Sequence, residues 1–282
     1  MQHTYTFVYI WSARHKTTLE CSIIMGRAPT DMDDIQRFFF GKNTVHSLSE
    51  AEYAQSRNYL ETLRAVSRLT YMSMYVIDYQ LKEFEYVSDN PFFLCGHSPE
   101  EVMELGYAFY FKHVSPEDLE MLIKVNEIGF NFFDRIPLTD RKNYSISYDF
   151  NLLNGKEKTL VNHKLTPIFI TEEGKIWKAL CLVSLSANTA AGNIVLSKAG
   201  EEVFWELDLP SAEWHKTAKM KLTDRELQIL RFHAQGLSIG EIATRMFVAT
   251  DTVKFHRRKL FEKLQVKNIA EALAYATNNK LL

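Results

Sequence analysis

Hydrophobic and polar positions change period twice along the chain. From Asp31 through DMDDIQRFFF and SEAEYAQSRNYLETLRAVSRLTYMSMYV, apolar residues fall at Tyr53, Leu60, Leu63, Val66 and Leu69. That spacing predicts helix, because residues three and four apart share one helical face. After Met74 the period shortens. Residues 75–78 and 84–88 read as short strands, and 99 to about 133 returns to helical spacing. SISYDFNLL then alternates strictly, with Ile146, Tyr148, Phe150 and Leu152 on one face and Ser147, Asp149 and Asn151 on the other. Asn154-Gly155 follows at once and predicts a type I′ hairpin, whose two central residues take positive φ. Runs over 159–170 and 175–185, parted at Glu173-Gly174, complete a three-stranded meander.

Past Leu222 the period is helical again, and the sequence writes helix starts explicitly. Thr223-Asp-Arg-Glu226, Ser238-Ile-Gly-Glu241 and Asn268-Ile-Ala-Glu271 each place a capping side chain three residues before a Glu that can reach back to it. Thr250 reads as a fourth cap, with Asp251 beside the positive end of the helix it opens. Gly236 is the expected left-handed stop of the first of these helices. The second and third are parted only by 247–250, so they must cross steeply, as in a helix-turn-helix. Ile242, Ala243 and Met246 form the inner face of one, and Val253, Leu260 and Leu264 one stripe of the other. Pinning that stripe inside leaves Lys254, Phe255 and Arg258 on the far side, with Asp251 and Glu262 continuing the row.

The patterns predict an α+β protein: an antiparallel sheet domain with flanking helices, joined to an all-α domain. Residues 1–30 show neither period and read as a weakly structured extension, with Met25 and Met32 as alternative starts. An N-terminal helical segment spans 31–72 and the sheet domain 73–187. Residues 188–219 read as a linker that docks through Trp205 and Trp214, and 220–282 form the helical domain.

Charge sharpens this division. The chain is close to neutral overall, at −2, yet the residues from Lys219 onward hold 12 Lys and Arg against 6 Asp and Glu. The preceding 218 residues therefore carry about −8. A basic domain on an acidic body suits contact with a polyanion through that domain alone. Cys21, Cys95 and Cys181 are scattered with no CxxC, which signals neither a zinc site nor a disulfide framework and fits reduced thiols. The apolar run from Tyr5 to Trp11 has no Lys or Arg before it, a poor signal peptide. Other apolar runs stop near half of what a bilayer crossing requires. A cytoplasmic location and no membrane partner are expected.

Two stretches resemble known families. YVSDNPFFLCGHSPEEVMELG and HVSPEDLEML resemble the PAS signature, in which a strand ends in Asn-Pro and a Pro-Glu-Glu opens the next helix. This resemblance covers 73–187. LTDRELQILRFHAQGLSIGEIATRM and TDTVKFHRRKLFEKLQV are similar to the LuxR-type helix-turn-helix over 221–282, with Thr250 where that family usually has Ser and Ile269 where Arg is common. The second resemblance implies that double-stranded DNA is the partner, with Lys254, Phe255 and Arg258 at base edges in the major groove. Thr250, Thr252, Arg257 and Lys267 would hold phosphates. It also implies a homodimer on DNA, paired through Ala270, Leu273, Ala274 and Thr277, with RNA polymerase as a further candidate partner. His256, near the buried stripe, is expected to pack locally.

The first resemblance implies a sensor of an unidentified small-molecule or protein signal, or a dimerisation surface. Phe92, Phe93, Phe109, Tyr110, Phe111, Phe130, Phe132 and Phe133 line a cavity or fill a solid core, and the sequence allows either. The Cys-bearing motif of flavin-binding PAS domains is absent, and His113 occupies a turn where this family places His without haem. No Walker, GxSxG or HExxH motif occurs, so no enzyme, no cofactor and no metal are expected. The expected function is sequence-specific DNA binding in transcription regulation. A sigma-factor-like polymerase subunit, or a protein-interaction module without DNA binding, are the alternatives.

Overall fold

The computed structural model describes residues 35–282 other than 40, 57 and 280. The expected N-terminal extension and Cys21 lie outside the described residues. Among the described residues the alternating segments build one antiparallel sheet of eight strands. These are β1 (Ser73–Asp78), β2 (Glu83–Val87), β3 (Tyr144–Asn154), β4 (Glu157–Ile170), β5 (Ile176–Leu185), β6 (Gly192–Lys198), β7 (Val203–Asp208) and β8 (Glu213–Ala218). Their spatial order is β2-β1-β5-β4-β3-β6-β7-β8. The first five strands, with helices crossing between β2 and β3, have the PAS-like arrangement that the sequence resembles.

Alternation along β1 explains why both faces are covered. Tyr75 and Ile77 point into the large core, beneath α3 (Pro91–Leu94), α4 (Pro99–Leu105), α5 (Ala108–His113) and α6 (Pro116–Phe133). Met74 and Val76 point the other way, against Tyr59, Leu60 and Leu63 of α2 (Tyr59–Ser67), which follows the short α1 (Glu50–Gln55). Leu60 and Leu63 of the expected helical stripe are therefore half-buried, whereas Tyr53, Val66 and Leu69 stay exposed.

At the centre of the large core is a chain of polar groups. The Tyr75 ring stacks on Phe93 at 4.3 Å, and its hydroxyl meets both the Tyr110 hydroxyl and His163 Nε2, the latter at 2.6 Å. His163 is 1% exposed and its Nδ1 has no partner. Burial alone pushes its pKa down to about 3 from the ordinary 6.5. A histidine held neutral in the fold but free to protonate when unfolded contributes stability that is complete above the unfolded value and is lost as pH falls toward the folded one. His113 and His233, also lowered by burial, act in the same direction. Carboxylates with lowered values, such as Glu226, add their own loss only below an ordinary value of 4.5. Between about pH 7 and pH 5 the folded state should therefore lose about 2 kcal/mol more in the wild type than in His163→Leu. Urea unfolding followed by tryptophan fluorescence reads this difference. An equal pH dependence in both proteins would remove His163 as its source.

Two local expectations are corrected. Asn154 pairs with Glu157, so the hairpin turns on Gly155 and Lys156 rather than on Asn154 and Gly155. Only Gly155 takes positive φ, +59°, which is the pattern of a type II′ turn. The segment expected to be a linker over 188–219 instead supplies β6, β7 and β8, which extend the sheet from the edge of β3. The turns at Gly192, Gly200 and Pro210 mark the ends of these strands rather than a chain without structure. Trp205 and Trp214 do pack, both against Phe132 of α6.

Candidate nucleic-acid interface

The helical domain holds α7 (Asp224–Ala234), α8 (Ile239–Met246), α9 (Thr250–Leu264) and α10 (Ile269–Asn278). Complete capping boxes open α7 and α8, through Thr223 with Glu226 and Ser238 with Glu241. The third differs in detail. Asn268 Oδ1 accepts from the Glu271 N–H, but Glu271 Oε2 reaches past the cap to the N–H of Lys267. The cap of α9 is Ala249, without a side-chain hydrogen bond, and Thr250 is the first helical residue. The sequence expectation that Thr250 caps this helix is thus off by one position. Its exposed side chain is left free of that duty.

Gly236, at φ +79°, ends α7. The Leu237 N–H returns to the Phe232 carbonyl and the Gly236 N–H to that of His233. Phe247 ends α8 in the same left-handed region at φ +54°, where a residue with a Cβ is strained. The Val248 N–H bonds back to the Ala243 carbonyl, which satisfies the helix end. Only Phe247, Val248 and Ala249 separate α8 from α9.

Two small cores hold the crossing rigid. Ile229, Ile242, Ala243, Met246 and Val253 form one, and Leu230, Leu260, Leu264, Ala272 and Ala276 the other. With Val253, Leu260 and Leu264 fully buried, Lys254, Phe255 and Arg258 are exposed. The Arg258 guanidinium lies 5.8 Å from the Phe255 ring centre, so cation and aromatic form one patch. Thr252 and Lys267 are exposed as well, whereas Arg257 is half-buried with its guanidinium over the Phe261 ring. The His256 ring lies against Phe255.

The acids that continue this row are ion-pair partners. Asp251 Oδ1 lies 2.9 Å from Lys254 Nζ, and Glu262 lies 3.2 Å from Lys259 and 4.0 Å from Arg258. Beneath them Glu226, whose burial is offset by its cap and by Lys263 at 2.9 Å, has a lowered pKa and ties α7 to α9. Spacing alone did not reveal this tie, because the two residues sit on different helices. Nor did it single out Phe247, which is 95% exposed in the turn.

On α10, Ala270, Ala274 and Thr277 are exposed, while Leu273 is half-buried and packs on the second core. Residues 272 and 276 are the alanines that face inward. The last turn of this helix touches the sheet, where Lys164 Nζ donates to the Asn278 carbonyl at 2.7 Å. Among the described residues no helix is long and apolar enough to cross a membrane.

Comparison with known proteins agrees with this geometry. Residues 220–276 match the model of the bacterial regulatory proteins of the luxR family. Fimbriae Z protein of Salmonella typhimurium is 36% identical over 63 residues, which are 22% of this chain and 30% of that protein. Probable transcriptional regulatory protein NarL of Mycobacterium tuberculosis is 44% identical over 61 residues, 22% of this chain and 28% of that one. The chain thus spans under a third of the length of these relatives. A solved structure of the Vibrio cholerae VqmA dimer in the absence of target DNA aligns with 79% of this chain and 88% of that chain, at 17% identity and a TM-score of 0.31. The three-residue turn between α8 and α9, the capping boxes and the family match together identify residues 220–276 as a helix-turn-helix domain of the LuxR type, joined to a sheet domain whose first five strands have the PAS-like order.

Proposed function

We propose that the chain is a sequence-specific DNA-binding regulator of transcription, which reads the major groove with α9. The observation that carries this reading is the division of that helix. Val253, Leu260 and Leu264 are buried on one side, and Lys254, Phe255 and Arg258 are uncovered on the other. Lys254 and Arg258 would donate to guanine O6 and N7, and Phe255 would touch a thymine methyl. Thr250, Thr252, Arg257 and Lys267 would hold phosphates and so fix the register. Two copies would pair through the small exposed side chains of Ala270, Ala274 and Thr277, with Leu273 at the seam, and read two half-sites. RNA polymerase is the partner such a regulator would act upon, in the cytoplasm.

The PAS-like domain would supply the input, as a signal sensor or as a second dimer contact. A narrow cleft of about 50 Å³ between α6 and strands β3, β4 and β6, which would have to widen around a ligand, is the place where a signal could enter. Phe130, Phe133, Ile146, Leu165 and Leu196 make it apolar, and Tyr79, Tyr148 and Asn126 give it a few polar groups, which suits a small and largely apolar ligand.

Selection of bound duplexes from a random library by the full chain, without polymerase, tests the reading. A recurring two-fold site is the expected result, and enrichment of nothing would exclude it. Arg258→Ala should then relax the preference at one position of that site by about 1–3 kcal/mol, while Arg257→Ala should weaken all sequences alike. Competition binding with single-base variants measures both. Equal effects of the two substitutions would refute the assignment of faces.

A further inference from the structure

Outside the helical domain, two imidazoles face each other. His97, in the loop before α4, and His113, the last residue of α5, have their Nε2 atoms 3.0 Å apart. The neighbours of the two rings bear on which nitrogen carries the proton. His113 Nδ1 lies 2.8 Å from the Leu153 carbonyl, which can only accept, so the proton sits on Nδ1 and Nε2 bears a lone pair. Lys112 Nζ lies 3.2 Å from His97 Nε2 and can only donate, which favours a lone pair on that Nε2 as well. The remaining His97 nitrogen, Nδ1, lies 3.4 Å from Glu101 Oε2. A proton on His97 Nε2 would make the contact an N–H···N bond but would set that N–H against the Lys112 ammonium, whereas a metal ion satisfies both Nε2 lone pairs at once.

We propose that His97 and His113 bind a divalent transition-metal ion of the zinc class, through both Nε2 atoms. Two nitrogens bound to one zinc at its usual bond length and tetrahedral angle lie about 3.3 Å apart, so the rings need to part only slightly. The outer partners are those that metal-bound imidazoles use: a backbone carbonyl behind His113 and a carboxylate behind His97. His113 is 6% exposed, so the fold around it holds its ring in place. Water would complete the coordination, since no group of three or more His, Cys, Asp or Glu surrounds a common point among the described residues. Without metal, the exposed Lys112 serves as the cation, and an arriving ion displaces it. The ion would pin the loop that carries His97 to the C-terminal end of α5. Since His97 and His113 are sixteen positions apart and in no recognised ligand spacing, the sequence alone did not reveal them.

Calorimetric titration of the full chain with zinc chloride tests this, with circular dichroism to confirm that each variant folds. The wild type should bind one ion that both His97→Gln and His113→Gln lose. His97 is the milder substitution for the fold, being the less buried of the two. Glu101→Gln should weaken binding about 10-fold, because glutamine can still complete the capping box with Ser98 but gives the imidazole no charge behind it. Lys112→Met should tighten binding, because the competing ammonium is gone. The proposal fails if the wild type takes up no zinc, or if uptake is unchanged by His97→Gln. The outcome is independent of DNA binding, which is read separately.

Discussion

Lys178→Ala is expected to lower the unfolding free energy by about 3–5 kcal/mol, because it strands two carboxylates beside an apolar face. Lys178 lies on β5 and is 5% exposed. Its ammonium is 2.6 Å from Glu85 Oε1 on β2 and 3.3 Å from Asp78 Oδ2 on β1, and it lies over the Trp177 and Tyr59 rings. Asp78 is itself 3% exposed and has the β1–β2 turn to hold, since it accepts the backbone N–H groups of Gln80 and Leu81. Tyr59 donates to Glu85, so the same charges anchor α2 to the sheet. Lys178→Met keeps the aliphatic stem and removes only the charge. It should lose nearly as much as alanine if the stranded carboxylates dominate, and much less if packing does. The four tryptophans of the chain all precede residue 220, so fluorescence during urea unfolding follows the sheet domain without the helical one. A loss below about 1 kcal/mol, the range of an exposed ion pair, would show that water reaches this triad.

The parts of the fold that the sequence made legible are those where one local rule decides. Tyr148, Phe150 and Leu152 are buried and Ile146 half-buried, as alternation predicts for the core face of β3, but Asp149 on the opposite face is buried as well, accepting from Asn162, Asn188 and Asn193. In the helical domain Ile242, Ala243, Met246, Val253, Leu260 and Leu264 are all buried as their spacing predicts. The strands between residues 192 and 218 were hidden because their lengths, 7, 6 and 6 residues, leave little room for a period. Frequent turn residues then look like a linker, and only an unpaired β3 edge shows that strands belong there. Thr250 reads as a cap because its chemistry allows it, yet the chain enters α9 one residue earlier, at Ala249. The ion pairs of Lys178 and the meeting of His97 with His113 join residues far apart in sequence. No period encodes them, and they follow only once the strands and helices are placed.

DNA binding by the full chain should weaken about 1,000-fold when salt rises fourfold from about 50 mM, a change of about 4 kcal/mol. About six phosphates neutralised by a dimer would release their counterions, which would give a slope of log K on log salt near −5. The exposed Lys254, Arg258, Lys259 and Lys267 and the half-buried Arg257 on each copy supply more than enough cations for that number. Two opposing effects are smaller. Salt also loosens the pairs of Lys254 with Asp251 and of Lys259 with Glu262, which frees cations for DNA. Each such helical pair is worth only about 0.2–0.5 kcal/mol, so counterion release wins. The acidic body repels the duplex, but at about 0.1 M salt its field decays within about 10 Å. Removing Lys254 should reduce the slope by about 1 per copy as well as relax a base preference, if that side chain meets phosphate and base together. Fluorescence anisotropy at a series of salt concentrations measures all of this. A flat response would mean that the cations of α9 meet no polyanion, and the exposed patch of Lys254, Phe255 and Arg258 would then have to be read as a surface for protein.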